Sequence, residues 1–140
     1  MEIGGYQFPD DLYYDKEHNW ARIEGERATI GVTDFAQAIA GEIVFAETPR
    51  AGRTVEAGSP FMSMESGKWV GRIKAILSGK IVEANEELEF DSTLINQSPY
   101  DQGWLAVIEL SNPAEVDGLM RADSPEFKTF IEAEKQRYGK

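Results

Sequence analysis

Apolar and polar residues alternate in short blocks along most of this chain, at the period of β-structure. His18-Asn19-Trp20-Ala21-Arg22-Ile23 alternates about Trp20, Gly25 marks a turn, and residues 27–32 form the returning arm of a hairpin. Tyr13-Tyr14 begins an earlier strand, and the mostly apolar residues 103–110 predict a central one. Residues 61–64 and 69–76 are two further apolar runs, flanking Glu65-Ser66-Gly67-Lys68. That arrangement predicts a hairpin whose turn relies on Gly67 at positive φ and carries Lys68 at its tip. Helical spacing is confined to three places. Thr33 can cap a helix over residues 34–40 that Gly41 closes, with Phe35, Ala36 and Ile39 inward. Asn112-Pro113-Ala114-Glu115 has the order of a capping box and opens a short helix towards Met120. Ser124-Pro125-Glu126 opens a longer one, with Phe127, Phe130, Ile131 and Tyr138 on one stripe. Glu134 interrupts that stripe, which predicts a frayed end. Residues 1–12, with two glycines, Pro9 and Asp10-Asp11, read as a loose arm.

The strand pattern repeats. Gly41-Glu42-Ile43-Val44-Phe45-Ala46 is echoed by Gly79-Lys80-Ile81-Val82-Glu83-Ala84, and Ser59-Pro60 and Ser98-Pro99 follow the two copies at nearly the same distance. Two such units can pack as facing sheets, giving a flattened barrel or sandwich with the Lys68 hairpin between the copies. The acidic stretch from Glu83 to Asp91 has neither the spacing nor the glycine of a calcium loop and reads as a solvated loop.

Composition narrows the function classes. A chain of 140 residues is the size of one domain, and its net charge of −11 disfavours nucleic acid and anionic membranes as partners. No apolar run is long enough to span a membrane, and no signal peptide is visible, so a cytoplasmic protein is expected. There are no cysteines, which removes thiol chemistry and Cys-ligated metal sites. With one histidine, His18, a triad or an ordinary zinc site is also out, and a structural hydrogen-bonding role is expected for it. Charge is uneven. Residues 50–80 hold six basic and two acidic residues, a local +4 that leaves −15 for the remainder. Lys68 itself admits two readings: a solvated surface lysine, or an attachment point for a cofactor acid through an amide, which would remove its charge.

Glu65-Ser66-x-Lys68, with Gly52 before it and Gly79 after it, resembles the lipoyl-attachment hairpin of the glycine cleavage H-protein family. The rest of the chain follows the same order: His18-Asn19-Trp20, the run from Ile30 to Gln37, Gly41-Glu42-Ile43-Val44-Phe45, Pro49, Asn85-Glu86-x-Leu88, Asn96, Ser98-Pro99-Tyr100 and Gly103-Trp104-Leu105. The resemblance implies a mostly β barrel-sandwich hybrid of the lipoyl- and biotinyl-carrier type with short helices. An N-terminal arm (1–12), the carrier domain (13–110) and C-terminal helices packed on it (111–140) would make up the chain. It implies a non-catalytic carrier whose lipoic acid is joined to Lys68. Glu65, Ser66, Gly67 and Trp69 would form the turn that a lipoate ligase or lipoyl transferase reads, and His18 would be a minority contact for the arm.

The hairpin departs from the glycine-cleavage pattern, which commonly has Glu-Ser-Val-Lys-Ala and a proline before the downstream glycine. Here Trp69 follows the lysine, Ile76 replaces the proline, and Arg72 and Lys74 stand where an acidic and an aromatic residue are common. In these respects the chain is similar to the lipoate-binding proteins of heterodisulfide-reductase-like sulfur oxidation. On that ground the preferred expectation is a sulfur carrier docking a heterodisulfide-reductase-like complex through Arg72 and Lys74. The alternative is the aminomethyl carrier of glycine cleavage, serving glycine decarboxylase and aminomethyltransferase; dihydrolipoyl dehydrogenase is expected as a further partner. A biotin acceptor is the remote rival, since such domains usually present Met-Lys-Met.

Overall fold

The computed structural model describes residues 1–140. In chain order, β1 (Glu2–Ile3) and β2 (Tyr6–Gln7) pair as a small hairpin, and β3 (Tyr13–Tyr14), β4 (Asn19–Glu24) and β5 (Arg27–Val32) follow. Helix α1 (Asp34–Ala40) leads to β6 (Ile43–Glu47), β7 (Thr54–Val55), β8 (Pro60–Ser66), β9 (Val70–Lys74) and β10 (Gly79–Ala84). A 3-10 turn (Glu86–Glu89) and α2 (Leu94–Gln97) precede β11 (Ala106–Leu110). A second 3-10 turn (Pro113–Gly118), β12 (Met120–Arg121) and α3 (Pro125–Tyr138) complete the chain.

The strands form a seven-stranded sheet, β12-β3-β4-β5-β11-β10-β7, and a three-stranded one, β6-β8-β9. Every pairing is antiparallel. One buried cluster draws Ala28, Ile30 and Ile108 from the larger sheet and Ile43, Ala46 and Met64 from the smaller, so the two sheets pack face to face. As expected, β11 is interior, between β5 and β10. The two repeat copies fall in different sheets, as β6 and β10, and each ladder slips by one residue at the same repeat position, Val44 and Val82. A bulge there twists the strand locally, so the repeat carries a backbone device as well as a hydrophobic pattern.

A second cluster is aromatic. Phe8 stands edge-on to both Tyr14 and Phe127, at 5.7 and 5.0 Å, and Tyr14 stacks on Phe127 at 4.7 Å. Ile3, Phe8 and Leu12 are buried here, so residues 1–12 are an anchored hairpin and not a loose arm. The Tyr14 hydroxyl donates to the Pro9 carbonyl at 2.6 Å, and burial pushes its phenol well above the usual range.

Helix α1 begins as the sequence predicts: Thr33 Oγ1 accepts from the Ala36 N–H, and Gly41 closes the helix at φ 84°. Ser124 caps α3 in the same way through the Phe127 N–H. The capping box at Asn112 does not form. The Asn112 side chain makes no cap, and the Glu115 carboxylate is taken by the Ser78 N–H and hydroxyl, both at 2.8 Å, so a 3-10 turn replaces the expected helix. The acidic stretch also contains a 3-10 turn, seated by buried Leu88.

Candidate cofactor-attachment site

Strands β8 and β9 place Lys68 at the tip of a hairpin. The Ser66 N–H donates to the Trp69 carbonyl at 2.7 Å, so Ser66 and Trp69 close a two-residue loop of Gly67 and Lys68. Ser66 Oγ also accepts from the Lys68 N–H at 3.3 Å. Buried Ser66 thus holds the turn from beneath while Gly67, Lys68, Trp69 and Val70 are exposed. Gly67 is not at positive φ, and a Cβ there would meet no atom within 4 Å. The turn therefore does not require glycine, contrary to the sequence expectation.

Glu65 lies across from Val70 and Phe45 in the ladder. It makes no ion pair, either with Arg72 and Lys74 on the neighbouring strand or with any other cation. Lys74 extends to Glu17 at 3.8 Å, an exposed pair of small worth. Arg72 forms no ion pair and shares a hollow of about 670 Å³ with Arg50 and Arg53. Arg72 and Lys74 also line one groove, together with Trp69 and Tyr138, so they share a face of β9.

The Lys68 side chain runs past the C-terminal end of α1: a Cβ on Gly41 would lie 2.9 Å from Lys68 Cε. Gly41 is held by Asn96 of α2. Its Nδ2 donates to the Gly41 carbonyl at 2.8 Å, and its Oδ1 accepts from the Ile43 N–H at 2.8 Å. Asn96 thereby fixes the end of α1 and the start of β6 in one bracket under the lysine. No local pattern gives it this role; its only signal in the sequence is its place in the order of residues that carry the family resemblance.

Beside the tip runs a groove of about 230 Å³, walled by Trp69, Ile73, Ile39, Ala40, Tyr138 and His18 among others. His18 is buried at φ 64°, the one non-glycine residue at positive φ. Its ring stacks on Phe130 at 5.2 Å, and its Nε2 lies 2.8 Å from Glu134 Oε1. A carboxylate only accepts, so Nε2 carries the proton; Nδ1 is buried without a partner. The expected structural role of His18 is present, and Glu134, read as a break in the stripe, is its buried partner. Helix α3 stays regular to Tyr138, where Gly139 caps it at φ 68°.

The model of the family described as "Glycine cleavage H-protein" matches residues 12–132. The chain belongs to that family. It is 51% identical to the glycine cleavage system H protein of Brevibacillus brevis over 120 residues, covering 86% of this chain and 95% of that one. The corresponding protein of Halalkalibacterium halodurans is 47% identical over 126 residues, covering 90% and 97%. Among solved structures, a glycine cleavage system H protein from Mycobacterium marinum superposes with a TM-score of 0.71 at 32% identity, over 79% of this chain and 97% of that one. The mostly β barrel-sandwich of lipoyl carriers is thus the fold of this chain, and glycine cleavage H proteins carry lipoic acid as a lipoamide on a lysine. These relatives do not support the preference for sulfur oxidation drawn from Trp69, Arg72 and Lys74; glycine cleavage fits them better. No helix is long and apolar enough to cross a membrane.

Proposed function

We propose that this chain is the lipoyl-carrying H protein of glycine cleavage, with Lys68 as the attachment residue. The observation that carries the reading is the placing of Lys68: exposed, on a two-residue loop between paired strands, with no carboxylate beside it. Forming the amide removes the ammonium charge. Because nothing is paired with that charge, acylation strands no acid, and the site fits the group. Trp69, Ile39, Ala40 and Ile73 would hold the apolar part of the arm. Joined to Lys68, lipoamide would supply two sulfurs, a disulfide when oxidised and a dithiol when reduced, one of which can hold a group once the S–S bond is open. The chain's own contribution is to present the arm on a stiff base at high effective concentration for each partner. Glu65 and Ser66 shape the turn that a lipoate ligase or lipoyl transferase reads. Glycine decarboxylase, aminomethyltransferase and dihydrolipoyl dehydrogenase are the partners.

Two measurements test the reading. Intact mass with peptide mapping of protein from its native cells is expected to show one lipoyl adduct, on Lys68; a biotinyl adduct or an unmodified chain would overturn it. Glycine–bicarbonate exchange with a decarboxylase is expected to depend on the lipoylated protein, and absence of exchange would return the pathway to question.

A further inference from the structure

The family match leaves residues 1–11 and 133–140 unaccounted for, and the alignment that takes 95% of the Brevibacillus protein takes only 86% of this chain. The Halalkalibacterium alignment takes 90% of this chain, so some of these end residues are shared with that relative and others are this chain's own. In the structure the two end segments meet: Lys135 Nζ donates to the Gly4 carbonyl at 2.7 Å.

Each segment grips an element of the groove beside Lys68. From the N-terminal side, the Gln7 N–H donates to Asp34 Oδ2 at 3.0 Å, and the Tyr100 hydroxyl bridges the Gln7 carbonyl (2.6 Å) and the Asp34 N–H (2.9 Å). The start of α1, whose later residues wall the groove, is thereby fixed. From the C-terminal side, Glu134 holds buried His18, and Tyr138 stands against Phe35 at 6.3 Å while itself forming groove wall. The Gly139 cap and the Lys140 N–H, which donates to the Lys135 carbonyl at 2.8 Å, keep the helix formed to that point. Ile131 is the last residue of α3 in the aromatic cluster, and Glu134 beyond it is still buried against His18. The helix continues by two turns past Ile131 and delivers a tyrosine to the groove.

We propose that residues 1–11 and 133–140 form an added brace that sets the groove's width and retains the lipoyl arm in it. Tyr138 is the wall residue that faces the arm, and Glu134 and Gln7 are positioning residues acting through His18 and Asp34. This rests on Lys68 being the attachment residue. The physical cause is burial: an arm of methylenes and a dithiolane leaves water more completely when the groove has a wall on its outer side. The arm in this protein should therefore be more withdrawn from solvent than the family core alone would make it.

The test uses the full-length lipoylated protein and a water-soluble phosphine in excess. The phosphine cleaves the arm's S–S bond and is itself oxidised, water supplying the oxygen of the phosphine oxide and the two protons of the dithiol. Only the undocked arm is open to attack, so the rate reads the undocked fraction. Tyr138→Ala is expected to speed reduction about fivefold, the change that some tens of square ångströms of lost ring contact supplies. Tyr138→Phe should restore the wild-type rate, because the contact is the ring. Tyr138 is 43% exposed, so both variants should fold with nearly unchanged melting temperatures, which separates arm retention from general stability. Equal reduction rates for wild type and Tyr138→Ala, with the adduct on Lys68 confirmed by mass in both, would overturn the proposal and leave the attachment reading intact. An adduct absent from Lys68 would overturn both.

Discussion

The hairpin tip and the aromatic cluster are built on opposite terms. At the tip the backbone is held by ladder bonds and by Ser66, while the side chains are loose: Trp69 and Val70 are 38% and 72% exposed. In the cluster Phe8, Tyr14, Trp20, Phe35 and Phe127 are all but inaccessible, and Phe8 stands edge-on to both Tyr14 and Phe127. Substitution at the tip should change what is attached or recognised and leave the fold alone. Substitution in the cluster should do the reverse. A carrier needs this division, because one lysine must be found by several enzymes while its base stays put.

The sharpest way to break the comparison is Lys68→Arg. It keeps the charge but cannot form the lipoyl amide, so the adduct should vanish from the intact mass while the melting temperature stays the same. A lipoylated Lys68→Arg protein would sink the site assignment. From the other side, Phe127→Ala empties the centre of the aromatic cluster and should cost about 3–5 kcal/mol by denaturant titration. The protein that remains folded should still be lipoylated.

Two glycines sharpen the contrast. A Cβ on Gly31 would lie 2.6 Å from the Trp20 ring, which is fully buried and fixed by its Nε1 donating to the Pro99 carbonyl at 3.0 Å. Gly31→Ala should therefore destabilise by about 1–3 kcal/mol, seen as a lower denaturant midpoint at unchanged slope. Gly67→Val at the tip is its counterpart and is taken last.

Between them lies a pH effect at the base of β9. Asp15 accepts from the Glu17 and Asn19 N–H groups, both at 2.9 Å, and from Asn19 Nδ2, which also donates to the Lys74 carbonyl. Burial raises this carboxyl above its usual range, and the hydrogen bonds oppose the rise without cancelling it. A raised folded value means the native state holds the proton longer than the unfolded chain. The stability this group adds is therefore complete below the unfolded value and is lost as pH climbs to the folded one. A carboxyl-carbon NMR titration should place the Asp15 midpoint above that of the denatured protein; a midpoint at or below it would refute the sign. The smallest effect is Gly67→Val. With open space around it and no positive φ, it should shift stability by less than about 0.5 kcal/mol and leave lipoylation intact.

What the sequence determined by itself was local. Alternation about Trp20 marked β4 and β5, Thr33 and Ser124 marked their helix starts, and the paired apolar runs marked the Lys68 hairpin, because each signal is exchanged within a few residues. The resemblance added the attachment lysine and the fold; its finer pathway preference rested on Trp69, Ile76, Arg72 and Lys74, and the relatives favour the other pathway. Tertiary structure alone decided where unpaired polar groups went. Glu115 had a capping position beside it but found Ser78, 37 residues away, and Glu134 turned inward because His18 waits 116 residues earlier in the chain. The resemblance placed Asn96 in order but not its task of spanning Gly41 and Ile43, and residues 1–12 looked loose until an aromatic cluster took in Ile3 and Phe8. A buried donor or acceptor must be matched wherever the fold brings a partner, and that partner has no fixed distance along the chain.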